Sequence, residues 1–226
     1  MIILLVLVIL LFLGGIILLS AKSSLEMKPR EQFLQELSNF LQGTLEPMES
    51  DSNEKSYRIK FRYKEQDFVY EDLENQGFKD KVYKAYLKAK TPSKLMLTFA
   101  EKEHSTRIRT EIFIASEVST NNMDEHVQLR VPKYLKDLKI VTNDSAAANK
   151  LLEDPKTASV FKRYKNVDNR GYFFLTISIV NGEIVLEFRS IKSCHPNVFD
   201  LRSDIHSIDN HLERMIALIR KLKEEL

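Results

Sequence analysis

From Ile2 to Leu19 the chain runs for eighteen residues without a polar side chain, broken only by Gly14-Gly15. No other feature limits its folding so strongly. Wound as a helix at about 1.5 Å per residue, the run reaches roughly 27 Å, close to the ~30 Å hydrocarbon thickness of a bilayer. Hydrocarbon offers the backbone no hydrogen-bond partner, so a crossing segment of this kind must be helical. A cleaved secretory signal instead has a basic start, an apolar stretch of about 7–15 residues and a small-x-small cleavage site. Here no Lys or Arg precedes the run, and in Leu18-Leu19-Ser20-Ala21 the leucine at 19 occupies a position that favours a small residue. The one cysteine is Cys194, so no lipobox adjoins the run. The expectation is an uncleaved single-pass anchor over residues 1–21, with an exported soluble domain after signal cleavage as the alternative. Lys22, Lys28 and Arg30 follow the run, and an excess of cations marks the cytoplasmic side, which places the body there. An external body is the competing orientation.

The composition narrows the rest. Thirty-four Lys and Arg nearly balance thirty-two Asp and Glu, for a net charge of +2, which argues against nucleic-acid binding by bulk charge. A lone cysteine excludes an intramolecular disulfide and a zinc site built on several thiolates. A 43% hydrophobic share supplies a core.

Residues 22–29 form a polar tether, and residues 30–226 read as a single domain with a candidate sub-boundary near 132–143. Phe33, Leu34, Leu37, Phe40 and Leu41 recur at helical spacing, so Arg30 to Leu45 is expected as a helix stopped by Glu46-Pro47. From Tyr57 to Lys64 the alternation is strict: Tyr57, Ile59, Phe61 and Tyr63 face a core, and Arg58, Lys60, Arg62 and Lys64 face away. A turn at Glu65-Gln66 would return Phe68-Val69-Tyr70 as a partner strand, with Lys60 opposite Glu71. Val82–Ala89 and Leu95–Phe99 flank Thr91-Pro92-Ser93-Lys94, a type I turn signal that suggests a second hairpin. Further strands are expected at Thr106–Ile114, His126–Val131 and Leu138–Val141. Asn143-Asp144-Ser145 offers helix caps, and Asp154-Pro155 ends one helix and starts another. Asn181-Gly182 joins Tyr172–Val180 to Glu183–Ile191 in the strongest hairpin signal of the chain. Asp200 to Leu226 reads as a long amphipathic helix. The fold class is therefore α+β: an N-terminal transmembrane helix, then a mainly antiparallel sheet with flanking helices and a long C-terminal amphipathic helix.

Two surfaces are candidates for binding. The first is the row Arg58, Lys60, Arg62 and Lys64, facing an acidic partner or anionic headgroups, unless neighbouring acids such as Glu65, Asp67, Glu71, Asp72 and Glu74 neutralise it. The second is the heptad seam Leu201, Ile205, Ile208, Leu212, Met215, Ile219, Leu222 and Leu226, which fits self-association through a coiled coil. Ile216 and Leu218 widen the stripe, and a wide stripe also suits a helix lying on its own sheet.

Catalytic signals are sparse. His206 and His211 are five residues apart and do not share a helix edge. No His-Glu-x-x-His, phosphate-binding loop, Gly-x-Ser-x-Gly or dinucleotide fingerprint occurs. Arg170 to Ile177 is similar to the signature of RNA-recognition motifs but departs from it at Phe173 and Ile177, and its strand runs into another strand instead of a helix. No nucleic-acid partner, cofactor, metal site or catalytic residue is expected. The functional reading is a membrane-tethered binding or assembly module. Its partners are the membrane, through the N-terminal helix, and a protein or second copy, through the C-terminal helix. The alternative is an enzyme whose site is assembled from distant residues.

Overall fold

The computed structural model describes residues 30–49, 55–76, 81–101, 129–167, 173–175, 177–190 and 204–224. They form an α+β body with one large antiparallel sheet and four α-helices, one of them C-terminal. In chain order the elements are α1 (Arg30–Phe40), β1 (Thr44–Met48), β2 (Ser56–Tyr63), β3 (Gln66–Gln76), β4 (Lys81–Lys90) and β5 (Leu97–Glu101). After a short 3₁₀ turn follow β6 (Leu138–Thr142), α2 (Ser145–Glu153), α3 (Pro155–Tyr164), β7 (Lys165–Val167), β8 (Phe173–Leu175), β9 (Ile177–Val180), β10 (Glu183–Ser190) and α4 (Ser207–Glu224). The main sheet has the order β1-β2-β3-β4-β10-β9-β5-β6, and β7 and β8 pair separately.

Alternation sorts the sheet into two faces. Ile59, Phe61, Phe68, Tyr70, Leu87, Ile184, Leu186, Ile177, Ile179, Leu97 and Phe99 are buried on the inner face. The helices pack there, contributing Phe33, Leu34 and Leu37 from α1, Leu151 and Leu152 from α2, Phe161 and Tyr164 from α3, and the apolar stripe of α4. α4 reaches from α1, where His206 meets Phe40 edge-on, to the α2–α3 pair, where Lys221 lies 3.5 Å from Asp154.

Local chemistry explains the boundaries. Helix α1 stops at Phe40, not at Pro47. Gln42 takes a left-handed φ of 51°, and the Gly43 N–H closes the end on the Ser38 carbonyl at 2.9 Å. A Cβ on Gly43 would sit 2.8 Å from both Ile59 Cγ2 and the Lys60 carbonyl, so only glycine fits against β2. The residues read as a helix end and stop thus form edge strand β1, where a proline is tolerated because no ladder bond needs its N–H on the open side. Asp144 caps α2 by accepting from the Ala147 N–H, and Asp154 caps α3 ahead of Pro155.

Two expected pairings are corrected. The β2–β3 turn is Lys64-Glu65, both at positive φ, so Arg62 faces Asp67 and Arg58 faces Glu71. This register lies two residues from the expected one, and a shift of two keeps every side chain on its face. Val82–Ala89 and Leu95–Phe99 are not a hairpin: β9 and β10 lie between β4 and β5. The segment 91–96 instead passes over the Asn181-Gly182 turn, where the Thr91 N–H donates to the Gly182 carbonyl at 2.8 Å. That turn carries positive φ at both residues, as the sequence signal requires. Tyr172–Val180 also divides, with β8 pairing β7 and β9 joining the main sheet.

The strand expected at Thr106–Ile114 lies outside the described residues, as do Leu201, Leu226, Cys194 and residues 1–29. Of His126–Val131, residues 129–131 are described and are not in a strand. Strands from both sides of residues 132–143 share the one sheet.

Candidate binding surface

The outer face of the sheet carries the side chains that the inner face cannot take. Arg58, Lys60 and Arg62 project there from β2, Val69 and Glu71 from β3, and Lys88 from β4, following the strand registers. Charge alternates across the strands. Lys60 lies 2.8 Å from Glu46 on β1, and Arg62 lies 3.8 Å from Asp67 on β3. At the centre, Glu71 accepts from Arg58 Nε and Nη2 at 3.1 and 2.8 Å and from Lys88 Nζ at 2.7 Å. One carboxylate thereby joins three strands. Burial pushes the Glu71 carboxyl up, but the bonds from Lys88 and Arg58 outweigh it and hold the group below the ordinary carboxylate range. Glu71 is only 6% exposed although it belongs to the outward face, because its two cationic partners cover it. A depression of about 380 Å³ lies over this network, bordered by Arg58, Lys60, Asp67, Glu71, Lys88 and Glu183.

Lys64 leaves the row. It sits in the turn and pairs with Glu213 of α4, which also accepts from the Tyr63 hydroxyl at 2.6 Å. Bonds from Lys64 and Tyr63 hold Glu213 below the ordinary carboxylate range, and the same carboxylate pushes Tyr63 up to about 12. Each of the four cations therefore faces a carboxylate of its own chain. Asp72, on the inner side of β3, accepts from Arg30 Nε, and its carbonyl accepts from Arg30 Nη2 at 3.1 Å. The Arg30 guanidinium also stacks 5.1 Å from the Tyr57 ring. An arginine at a helix N-terminus opposes the helix dipole; here the buried Asp72 carboxylate offsets that cost.

The seam of α4 faces inward. Ile208, Leu212, Met215, Ile219 and Leu222 are 0–3% exposed within the chain's own core, Ile216 and Leu218 are buried beside them, and Ile205 packs at the margin. Self-association through these side chains would require α4 to leave the sheet. His211 is also buried, sharing a hydrogen bond of 2.9 Å with the Tyr164 hydroxyl and meeting Phe188 edge-on. Burial, with repulsion from Arg214 and Arg163, pushes His211 down to about 4, and burial pushes Tyr164 up to about 12. Among the described residues no group of three His, Cys, Asp or Glu is placed to hold a metal. None of their helices is long and apolar enough to cross a membrane. Ile177, from the segment similar to the RNA-recognition signature, is fully buried in the core.

Sequence reasoning named the outward cations and two of the acids that face them, Asp67 and Glu71, but not Glu46 or Glu213. It missed the third strand at Glu71 and the Arg30–Asp72 pair. The β4 alternation, which puts Lys88 on the outward side, was the available signal for the first. No protein-family model, curated protein or solved structure matches this chain.

Proposed function

We propose that the chain is a membrane-tethered binding module. The observation that carries this reading is the eighteen-residue apolar run followed, after a short polar link, by a helix secured at its first described residue through Arg30, Asp72 and Tyr57. Arg30, at the start of α1, is tied to β3 through Asp72. The outer sheet face supplies the contact surface. Its cations are already neutralised at close range, so an acidic partner must exchange ion pairs with Glu46, Asp67 and Glu71 instead of meeting a bare positive field. Such exchange favours a protein surface of mixed charge over a sheet of like-charged headgroups.

Fractionation of cells expressing the full-length chain tests the tether. The intact chain is expected in the membrane pellet, resistant to high salt and alkaline carbonate and released by detergent. Intact, untrimmed chain in the aqueous fraction would overturn the reading. A mature N-terminus near Ser20–Ser24 would establish the exported alternative.

A further inference from the structure

The four described helices all lie against the inner face of the sheet, and none of them covers the outer one. The outer face has two unlike halves. The β1–β4 half carries the ion-paired row. In the other half Val185 on β10, Ser178 and Val180 on β9, Thr98 on β5 and Val141 on β6 are uncharged and only partly buried. β4 and β10 are the fourth and fifth of the eight strands, so the halves meet between them. On that boundary Lys90 stands opposite Glu183, and both border the depression of about 380 Å³. The other charges at its rim, Arg58, Lys60, Asp67, Glu71 and Lys88, are each engaged in an ion pair. Lys90 and Glu183 have no ion-pair partner among the described residues.

Resting on the reading of the outer face as the contact surface, we propose that two copies of the chain pack outer face to outer face, each Lys90 paired with Glu183 of the other copy. One unspent cation beside one unspent anion selects this occupant. Anionic headgroups would answer Lys90 and repel Glu183, and a basic partner would do the reverse. A second copy answers both, because a two-fold axis along the β4–β10 boundary sets Lys90 of each chain over Glu183 of the other. The same axis lays the ion-paired half of each sheet on the uncharged half of its mate, so the two cationic rows never confront one another. Eight strands at about 4.8 Å spacing, with roughly 20 Å of shared length, give a face of about 760 Å² per copy. That is close to the ~800 Å² per partner of a standard interface. An exposed lysine and glutamate facing each other in one chain gain little by pairing there, so taking partners across the axis forfeits little.

Sedimentation equilibrium of the full-length chain in density-matched detergent tests the pairing, with Lys90→Glu and Glu183→Lys as variants. Lys90 is exposed and Glu183 half-buried, and circular dichroism checks that each variant folds. The parent chain is expected to be a dimer. Either variant alone sets like charges together twice in each dimer, and its dissociation constant should rise by about tenfold or more. An equimolar mixture of the two variants restores an opposite pair at both contacts, so heterodimers as stable as the parent dimer are expected. A monomeric parent would overturn the pairing and leave the face to a different protein of mixed charge. Dimers that both variants preserve, or a mixture no tighter than its components, would also overturn it and move the association elsewhere on the chain. Recovery of the intact chain in the aqueous fraction would overturn the tether alone, since the same measurement then runs in buffer without detergent.

Discussion

Glu71 shows how one side chain organises a surface. Its carboxylate meets Arg58 and Lys88 from the two neighbouring strands while nearly excluded from solvent. Replacing it with glutamine leaves two cations facing each other across a neutral amide. Glu71→Gln is therefore expected to lower stability by about 1–2 kcal/mol, read as a reduced midpoint in urea with unchanged slope. His211 supplies a different residue-level expectation. An unfolded chain takes up a proton on this ring near its ordinary value of 6.5, whereas the folded chain resists until about 4. The unfolded state thus holds the extra proton between those values. Stability is unpenalised above pH 6.5 and falls as the pH drops through the window, by a total of roughly 3 kcal/mol. His211→Gln keeps a partner for Tyr164 and should flatten the stability profile from pH 6.5 to 5, measured by denaturant melts across pH. A profile as steep as that of the parent chain would count against this account.

Among the elements, the β2–β3 turn departs from its expected place, and α4 takes the second of the two arrangements its stripe allows. The 4-3 spacing of α4 fits a coiled coil, yet a seam widened by Ile216 and Leu218 fills the space beneath an eight-stranded sheet. Leu212→Ala should cost about 2–5 kcal/mol, as expected for a fully buried leucine, with no change in molecular mass by sedimentation. A drop in mass with retained folding would restore the seam as an interface. In the turn, Glu65 holds a φ of 66°, a conformation that glycine adopts without strain. Glu65→Gly is accordingly expected to stabilise by about 0.5–1 kcal/mol, seen as a higher melting temperature. Both elements show what local pattern can carry. Alternation in β2 fixes which side chains face inward, and that assignment survives a turn displaced by one residue. Asn181-Gly182 declares its hairpin because two consecutive positive φ values demand such residues. The helix end at Phe40 escaped notice because Gly43 is selected by its approach to Ile59, a contact no local signal records. The outward row was legible in the same way as the strand, but the position of Lys64 was not, since a turn residue owes its direction to α4.

At the scale of the whole molecule, strand order was the part least accessible to sequence. Pro92 in 91–94 suits a tight turn, yet nothing nearby reveals that two later strands separate its neighbours. That insertion has a consequence for how the body is made. β4 and β5 are synthesised with a gap between them, and the filling pieces, β9 and β10, come about eighty residues later. Until they emerge from the ribosome, two nascent borders present unsatisfied amides and carbonyls, a template for mispairing with other chains. Deleting residues 177–190 should accordingly send the product into inclusion bodies instead of yielding a smaller soluble body, as assayed by its share in the cleared lysate. The chain thus depends on its last quarter to close a seam opened in its first half, and chaperone demand should peak just before that closure.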